Sequence, residues 1–103
     1  MKNFLVIGLG EFGKSVAKTL YKNKATVLAI DSREGVIKQA LNEGIIEEAI
    51  ILDATDEIAL KKVVRDDFDT AFVSVGDNIQ ASILITLQLR EMGVKNVICK
   101  AVN

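Results

Sequence analysis

The stretch "FLVIGLGEFGKSVAKTL", residues 4–20, decides the fold, because an apolar run passes through three glycines into a segment of helical period. Its first four residues are apolar without alternation, which is typical of a strand buried on both faces of a parallel sheet. After the glycines, Val16, Ala17, Leu20 and Tyr21 share one stripe of a helix and lysines occupy the opposite stripe. The stretch therefore predicts a strand, a glycine turn and an amphipathic helix.

Four further apolar runs alternate with helical patterns along the rest of the chain. They are "TVLAID" (26–31), "AIILD" (49–53), "TAFVSVG" (70–76) and "NVICKA" (96–101), and each is predicted to be a strand buried on both faces. This alternation predicts one α/β domain over residues 1–103. Its architecture should be a Rossmann-like, doubly wound parallel sheet of five to six strands, with helices on both faces.

The predicted fourth helix, from Asp77 to about Met92, differs from the others in its apolar pattern. Its apolar residues go most of the way round the helix axis, which is more than packing on one sheet requires. We therefore expect a second surface to cover this helix.

Composition excludes several classes of function. The net charge of -1 offers no basic surface for nucleic acid, and no apolar stretch approaches the roughly 20 residues of a membrane span, so direct membrane insertion is not expected. The chain has no histidine, which excludes a Ser-His-Asp triad, a Cys-His pair and a histidine zinc site built from this chain alone. We assign no catalytic residue. The single cysteine fits a reducing cytoplasm.

Gly8, Gly10 and Gly13 form the pattern G-x-G-x-x-G directly after the first predicted strand. In that position the first glycine permits a tight turn, the second admits a ligand's phosphates, and the third lets the helix pack closely. Asp31 ends the second predicted strand, where a carboxylate can accept hydrogen bonds from both ribose hydroxyls. The combination predicts an adenine nucleotide, and the charge of Asp31 disfavours the 2′-phosphate of NADP.

Two more predicted strands end in polar clusters, "DAT" (53–55) and "VGDN" (75–78). Thr55 and Asp77 fit two roles equally well, the capping of a helix and contact with a ligand. Lys100 and Arg33 are each open to a phosphate contact or to simple solvation, and solvation is the commoner role of a lone lysine at a strand end. The acidic residues at 53, 56 and 57 are explained by the dipole of a helix start, so no metal site is assigned.

Several longer stretches together carry a family likeness that covers nearly the whole chain. They are "FLVIGLGEFGKSVAKTL", Asp31, "DATDEIAL", "DFDTAFVSVGDNIQASILITLQLRE" and "KAVN". With these stretches the chain resembles the nucleotide-binding N-terminal lobe of the Trk/Ktr potassium-transport regulatory proteins, an RCK domain. "GDNIQAS" and "KAVN" are far more specific than the glycines.

The resemblance implies a regulator and not an enzyme. Such a protein binds NAD(H), ATP or ADP, forms homodimers that assemble into a larger ring, and gates a membrane potassium channel or transporter subunit. It is cytoplasmic and lies at the inner face of the cell membrane through that partner. The chain ends just after "KAVN", so the family's C-terminal regulatory lobe is expected to be absent from it.

The resemblance also implies roles for individual residues. It places the three glycines at the phosphates, Asp31 on the ribose, residues 53–55 beside the adenine, and Gly76 with Lys100 near the distal phosphates. The full predicted cofactor-binding set is Gly8, Gly10, Glu11, Phe12, Gly13, Asp31, Ser32, Arg33, Asp53, Ala54, Thr55, Val75, Gly76 and Lys100. Glu11 departs from ATP-responsive members, which commonly have arginine there, and a carboxylate repels a third phosphate or needs a cation beside it. This favours NAD(H) slightly and leaves ATP and ADP open.

Two other functions use similar sequence patterns. The cofactor-binding half of an NAD-dependent dehydrogenase would need a substrate pocket and a proton donor outside these 103 residues. An S-adenosylmethionine methyltransferase also has an acidic residue after its second strand, but its glycine loop usually lacks the close-packing third glycine found here as Gly13.

Overall fold

Strands and helices alternate along the chain in the computed structural model, which describes residues 2–65 and 67–100. The strands are β1 (Asn3–Ile7), β2 (Thr26–Asp31), β3 (Glu48–Ile51), β4 (Thr70–Val73) and β5 (Asn96–Cys99), and the helices are α1 (Glu11–Lys22), α2 (Glu34–Asn42), α3 (Glu57–Val63) and α4 (Ile79–Glu91). The predicted alternation is confirmed. In the described ranges the sheet has five strands and no sixth. The last residue of the predicted fifth strand, Ala101, lies outside those ranges.

All five strands pair in parallel, in the order β3-β2-β1-β4-β5. In the register of this sheet Leu5 of β1 lies between Leu28 of β2 and Ala71 of β4. The chain builds outward from β1 to β3 and then returns to the other side of β1 to form β4 and β5. The strand order therefore reverses between β1 and β4, and ligands of doubly wound sheets bind beside such a reversal, at the carboxyl ends of the strands.

The helices form one layer on each face of the sheet. Val6 packs in a buried cluster with Ala17 of α1 and Ile37 of α2. Its neighbour Leu5 points to the other face, where the second buried cluster includes Leu60 of α3 and Ile85 and Leu89 of α4. Neighbouring residues of β1 thus serve opposite cores, which explains why this strand is apolar without alternation.

The prediction that every strand is buried on both faces is wrong for β3 and β5. These are the two edge strands of the sheet, and none of their residues is fully buried. Ile51 of β3 and Ile98 of β5 are about half exposed. An apolar run cannot reveal whether a strand has one neighbour or two, because that depends on the order in which the strands assemble.

The side chains that cap α3 and α4 differ in part from the predicted ones. The Asp56 carboxylate accepts a hydrogen bond from the Ala59 amide at 3.2 Å, so the cap of α3 is Asp56 and not Thr55. At α4 the cap is Asn78, which accepts from the Ala81 amide at 2.9 Å. The capping role predicted for Asp77 is wrong, because the turn through Gly76 continues to residue 77 and the helix begins at Ile79.

Candidate functional site

A cleft of about 470 Å³ lies at the carboxyl ends of the strands, beside the reversal between β1 and β4. All the predicted cofactor-binding residues except Gly13 line it. Its apolar floor consists of Ile7, Ile30, Leu52 and Ile85, which the sequence analysis did not assign to the site. The signal for the first three was available, because each directly precedes a predicted site residue, Gly8, Asp31 or Asp53, at or just after the end of a strand.

A second groove, of about 410 Å³, lies at the opposite edge of the sheet, where Tyr21 meets the starts of β2 and β3. The Tyr21 hydroxyl donates a hydrogen bond to Glu47 at 2.6 Å across it. Neither a helix start nor the glycine loop contributes to this groove. The cleft at the carboxyl edge is therefore the candidate nucleotide site.

Gly8 is required by the packing of the chain itself. Its φ of +92° is a conformation that other residues rarely adopt, and a Cβ there would lie 1.8 Å from the carbonyl oxygen of Ser74. Its amide donates to the carbonyl of Ile30 at 2.8 Å. The residue therefore joins the loop after β1 to the ends of both neighbouring strands.

Gly13 is also required by packing, and it lies behind the loop, outside the lining of the cleft. A Cβ at Gly13 would lie 1.7 Å from the carbonyl oxygen of Gly8 and 3.5 Å from the Val6 side chain. The predicted role of Gly13, close packing of the helix on the strand end, is confirmed. The motif also placed Gly13 among the predicted cofactor-binding residues. Its position does not support a ligand contact, because Gly13 does not line the cleft.

Gly10 differs from these two glycines because nothing in the described chain requires it. A Cβ at Gly10 would meet no heavy atom of the described residues within 4 Å, and its φ of -71° suits any amino acid. Gly10 nevertheless lines the cleft. The space that a side chain would occupy is therefore open to a ligand, which is the feature expected where phosphates approach the backbone.

The start of α1 faces the same space. Gly10 is its N-cap residue and supplies no side-chain hydrogen bond, and the first amide to bond back into the helix is that of Lys14, to the Gly10 carbonyl at 2.9 Å. The amides of residues 11–13 therefore have no partner within the helix, and the helix dipole adds partial positive charge there. This end of a 12-residue helix suits an anion.

Asp31 ends β2 as predicted, and its carboxylate is almost fully buried. The Leu9 amide of the glycine loop donates to its Oδ2 at 2.8 Å, and the Arg33 amide donates to its Oδ1 at 2.9 Å. The Leu9 bond crosses from β2 to the glycine loop, so Asp31 fixes the shape of that loop. The position of Asp31 in the sequence predicts a ribose contact, and nothing in the local pattern predicts this structural role.

The Arg33 side chain pairs with Asp31. The sequence left a phosphate contact and simple solvation open for Arg33, and neither role predicts this pair. Its Nε donates to Oδ1 and its Nη2 donates to Oδ2, both at 3.0 Å. Burial alone would raise the pKa of the Asp31 carboxyl, but the hydrogen bonds from Arg33 and from the Leu9 amide outweigh burial and hold that pKa below its usual value. Asp31 is therefore a stable anion at neutral pH.

The chain segments that follow β3, β4 and β5 supply the other walls of the cleft. The Thr55 amide and hydroxyl both donate to Asp53 Oδ1, at 3.0 and 2.7 Å, and these bonds lower the pKa of the Asp53 carboxyl. Buried Ala54 lies between them and offers a small apolar surface. On the other side, Lys100 extends from the end of β5, where its amide donates to the Val73 carbonyl at 3.1 Å.

A family model of the TrkA-N domain matches residues 4–103 of this sequence. The chain belongs to the TrkA-N domain family. The match includes both halves of the cleft, from the glycine loop after β1 to the segment that follows β5. The predicted resemblance is confirmed at the level of the family.

This TrkA-N domain is similar to potassium uptake proteins of two bacteria. It is 44% identical over 102 residues to the Ktr system potassium uptake protein C of Bacillus subtilis (strain 168), a match that covers 99% of this chain and 45% of that protein. It is 41% identical over 100 residues to the Ktr system potassium uptake protein A of Vibrio alginolyticus, covering 97% of this chain and 44% of that protein. The chain therefore spans less than half the length of these relatives. Both are named as proteins of a potassium uptake system.

Comparison with solved structures places this TrkA-N domain in the Rossmann class. The NAD(P)-binding domain of an exopolyphosphatase-related protein from Archaeoglobus fulgidus matches it with a TM-score of 0.81 at 22% identity, covering 99% of this chain and 75% of that one. At this identity the likeness concerns the fold alone. The predicted Rossmann-like fold is confirmed.

Two other kinds of site, a membrane-spanning helix and a metal-binding cluster, are absent from residues 2–65 and 67–100. No helix in these ranges is both long and apolar enough to cross a membrane. No group of three or more Asp, Glu, Cys or His side chains there is arranged to hold a metal ion.

Proposed function

We propose that this TrkA-N domain binds an adenine nucleotide, NAD(H) or ATP/ADP, and is the regulatory, gating domain of a potassium uptake system. The observation that supports nucleotide binding is Gly10, a glycine that nothing in the described chain requires, beside the unpaired amides of α1. The buried carboxylate of Asp31 lies at the end of the next strand, where the ribose of a dinucleotide binds in this fold. The names of the relatives supply potassium uptake as the process.

The lining of the cleft suggests how the ligand binds. We place the phosphates over Gly10 and the start of α1, and the adenosine ribose on Asp31. The adenine then lies against Ala54 and Thr55, beyond the end of β3. The rest of the nucleotide extends toward Gly76 and Lys100. Lys100 supplies positive charge at that end.

Glu11 bears on the choice of nucleotide. It is the first residue of α1 and lines the cleft, so its carboxylate lies close to any terminal phosphate bound over the helix start. A third phosphate would be repelled unless a cation lies between the two groups, whereas the second half of NAD(H) brings no such charge. NAD(H) is therefore our first candidate, and ATP is expected to bind better with Mg²⁺ than without it.

We propose a binding module and not an enzyme. Ile7, Ile30, Leu52 and Ile85 form an apolar floor, which packs against a bound cofactor but moves no protons. The alternative, the cofactor-binding half of an NAD-dependent dehydrogenase, requires a catalytic domain elsewhere. A reading frame that continues into a histidine-bearing catalytic domain would favour the dehydrogenase, and one that continues into a small second α/β lobe would favour the regulator.

We propose that the domain works as a homodimer within a larger ring. Ile79, Ile83 and Leu87 are spaced four residues apart on α4 and are exposed, with Leu84 exposed beside them. A second copy that packs against this stripe would bury it, and the homodimers would then assemble into the ring.

The ring would lie in the cytoplasm, at the inner face of the membrane, bound to a potassium channel or transporter subunit. Different nucleotides would change the angle between the domains of a dimer and so gate that subunit.

Titration calorimetry of NADH, ADP and ATP, with and without Mg²⁺, tests the binding. The matched variants are Asp31→Asn, which removes the charge at the ribose, and Asp67→Asn, which removes an exposed carboxylate near the amino end of β4. Hydrogen bonds to a charged group contribute about 1.5–3 kcal/mol, so their loss in Asp31→Asn should weaken nucleotide binding about 10- to 150-fold. The affinity of Asp67→Asn should equal that of wild type. Circular dichroism reports whether the glycine loop still folds without the Leu9 bond. Absence of heat and of thermal stabilisation with every nucleotide would exclude this function.

Assembly and gating need separate measurements. Ile83→Ser should shift the sedimentation coefficient toward that of a monomer if α4 forms the contact, while Ile58→Ser, at another exposed isoleucine, should not. Potassium uptake by cells whose complete system carries Asp31→Asn should lose its response to nucleotide. An unchanged response in those cells would refute gating through this cleft.

A further inference from the structure

The Asp31 carboxylate already has as many hydrogen-bond donors as it can accept. A carboxylate offers about four acceptor positions, two on each oxygen. Oδ1 accepts from the amide and Nε of Arg33, and Oδ2 accepts from the Leu9 amide and Nη2 of Arg33. A ribose can therefore bind Asp31 only if one or more of these donors leaves.

The donors that can leave belong to the Arg33 side chain. The two amides are part of the backbone of the glycine loop and of the turn after β2, so they keep the carboxylate in position. The Arg33 side chain is 61% exposed whereas that of Asp31 is 4% exposed, so the guanidinium can move into water without a change in the fold. Its departure frees one acceptor position on each oxygen. A ribose offers two neighbouring hydroxyls, at 2′ and 3′, which match these two positions.

We propose that Arg33 competes with the ribose for Asp31 and thereby sets the selectivity of the site at the 2′ position. This inference rests on the proposed function, because it assumes that an adenine nucleotide binds in this cleft. An unphosphorylated ribose must displace the guanidinium and gains no contact with it afterwards. Arg33 therefore weakens the binding of NADH, ADP and ATP.

A 2′-phosphate reverses the effect of Arg33. The charge of Asp31 repels such a phosphate, and that repulsion alone would exclude NADPH. The displaced guanidinium remains tethered two residues from Asp31 and can pair with the phosphate through two parallel hydrogen bonds. Arg33 thus lowers the affinity for NADH and offsets the repulsion between Asp31 and the 2′-phosphate of NADPH. The ratio of the NADH affinity to the NADPH affinity is therefore smaller than it would be without Arg33.

The test compares NADH and NADPH affinities of the wild-type protein, Arg33→Ala and Arg65→Ala, measured by the fluorescence of the bound cofactor. Arg65 is the matched control because its side chain is also 61% exposed and also pairs with an aspartate, Asp67, away from the cleft. Arg33→Ala should bind NADH about 2- to 5-fold more tightly and NADPH no more tightly than wild type. Arg65→Ala should change both affinities by the same small factor.

Two further measurements tie the effect to Asp31 and to the ribose. The gain from Arg33→Ala should disappear when Asp31→Asn is also present, because no ion pair is then left to remove. The preference for ADP over 2′-deoxyADP should grow in Arg33→Ala, since both hydroxyl-accepting positions are then always free. Arg33→Lys should fall between wild type and Arg33→Ala, because an ammonium has no planar fork to pair with both oxygens.

The possible outcomes separate this inference from the proposed function. If wild-type protein binds NADH and Arg33→Ala binds it equally or less tightly, the competition by Arg33 is refuted and the nucleotide site stands. If NADH binding appears only in Arg33→Ala, both are supported. If neither protein binds NADH, NADPH or ADP, the proposed function fails and the role of Arg33 fails with it.

Discussion

Replacement of Gly10 by alanine is the perturbation that best separates ligand binding from folding. A Cβ added at Gly8 or Gly13, the other two glycines of the motif, would lie 1.8 or 1.7 Å from a backbone oxygen. Gly10 has no described heavy atom within 4 Å of that position, and its φ of -71° and ψ of -165° are allowed for alanine. The Gly10→Ala methyl group would therefore meet only the ligand.

The expected magnitudes follow from this geometry. Replacing glycine by alanine at an N-cap destabilises a helix by about 0.5–1 kcal/mol. Alanine also lowers the entropy of the unfolded chain, which stabilises the folded protein by about 0.4–1 kcal/mol. The free energy of unfolding should therefore change by less than about 1 kcal/mol. A methyl group forced against bound phosphates costs about 1–3 kcal/mol in a tight contact. Nucleotide affinity should therefore fall about 5- to 150-fold.

The assay pairs Gly10→Ala with Gly35→Ala. Gly35 lies in the first turn of α2 and would also meet no described heavy atom within 4 Å, but it is outside the cleft. Urea unfolding gives the stability of each variant, and calorimetry with NADH and ADP gives the affinity. Gly35→Ala should gain about 0.5–1 kcal/mol of stability with unchanged affinity.

Two results would contradict the open position of Gly10 beneath the phosphates. If Gly10→Ala binds nucleotide as tightly as wild type, the phosphates do not lie over Gly10. If Gly10→Ala loses several kcal/mol of stability, the space above Gly10 is not open in the folded protein, and weaker binding would then report unfolding. A parallel loss of affinity in Gly35→Ala would show that the assay does not report on the cleft.

The other predictions concern stability. Gly8→Ala should lose about 3 kcal/mol or more in urea unfolding, because strain at positive φ adds to the conflict with Ser74; stability like that of Gly10→Ala would contradict this. The pKa of Asp31 is lowered in the folded protein, so the stability it contributes is complete above the ordinary carboxyl pKa of about 3.9 and is lost as pH falls through the lower folded value. The unfolding temperature should therefore fall less steeply between pH 6 and 2 in Asp31→Asn than in wild type. Equal slopes of unfolding temperature against pH would contradict this contribution of Asp31. Gln88 on α4 is buried, and its Oε1 finds no hydrogen-bond partner in the described part of the chain. Gln88→Leu should gain about 1 kcal/mol in calorimetric unfolding, and a loss would mean that the amide has a partner in the assembled protein.

Local patterns were sufficient for most of the architecture. Unbroken apolar runs predicted five strands, and the change from strand to helical period predicted the helices between them. The glycine spacing and Asp31 predicted the main residues of the cleft, because polar residues after parallel strands meet at one edge of the sheet. These features depend on neighbours in the chain, which is why a single sequence reveals them.

Features that depend on contacts between distant segments were predicted less well. The exposure of Ile51 and Ile98 follows from the strand order, which puts β3 and β5 at the edges. The cap of α4 moved from Asp77 to Asn78 because the exact end of a turn decides which side chain reaches the Ala81 amide.

The glycine motif and the Asp31 carboxylate each combine features set by local spacing with features set by contacts between distant segments. The sequence alone determined that a glycine turn joins a buried strand to an amphipathic helix and that an acidic residue ends the next strand, because both are matters of local spacing. Contacts between distant segments of the fold make Gly8 and Gly13 necessary for packing and leave Gly10 open. The same fold brought Leu9, Asp31 and Arg33 into one network of hydrogen bonds. Those outcomes depend on how closely backbone atoms approach across β1, β2 and β4, and no pattern along the chain encodes that distance.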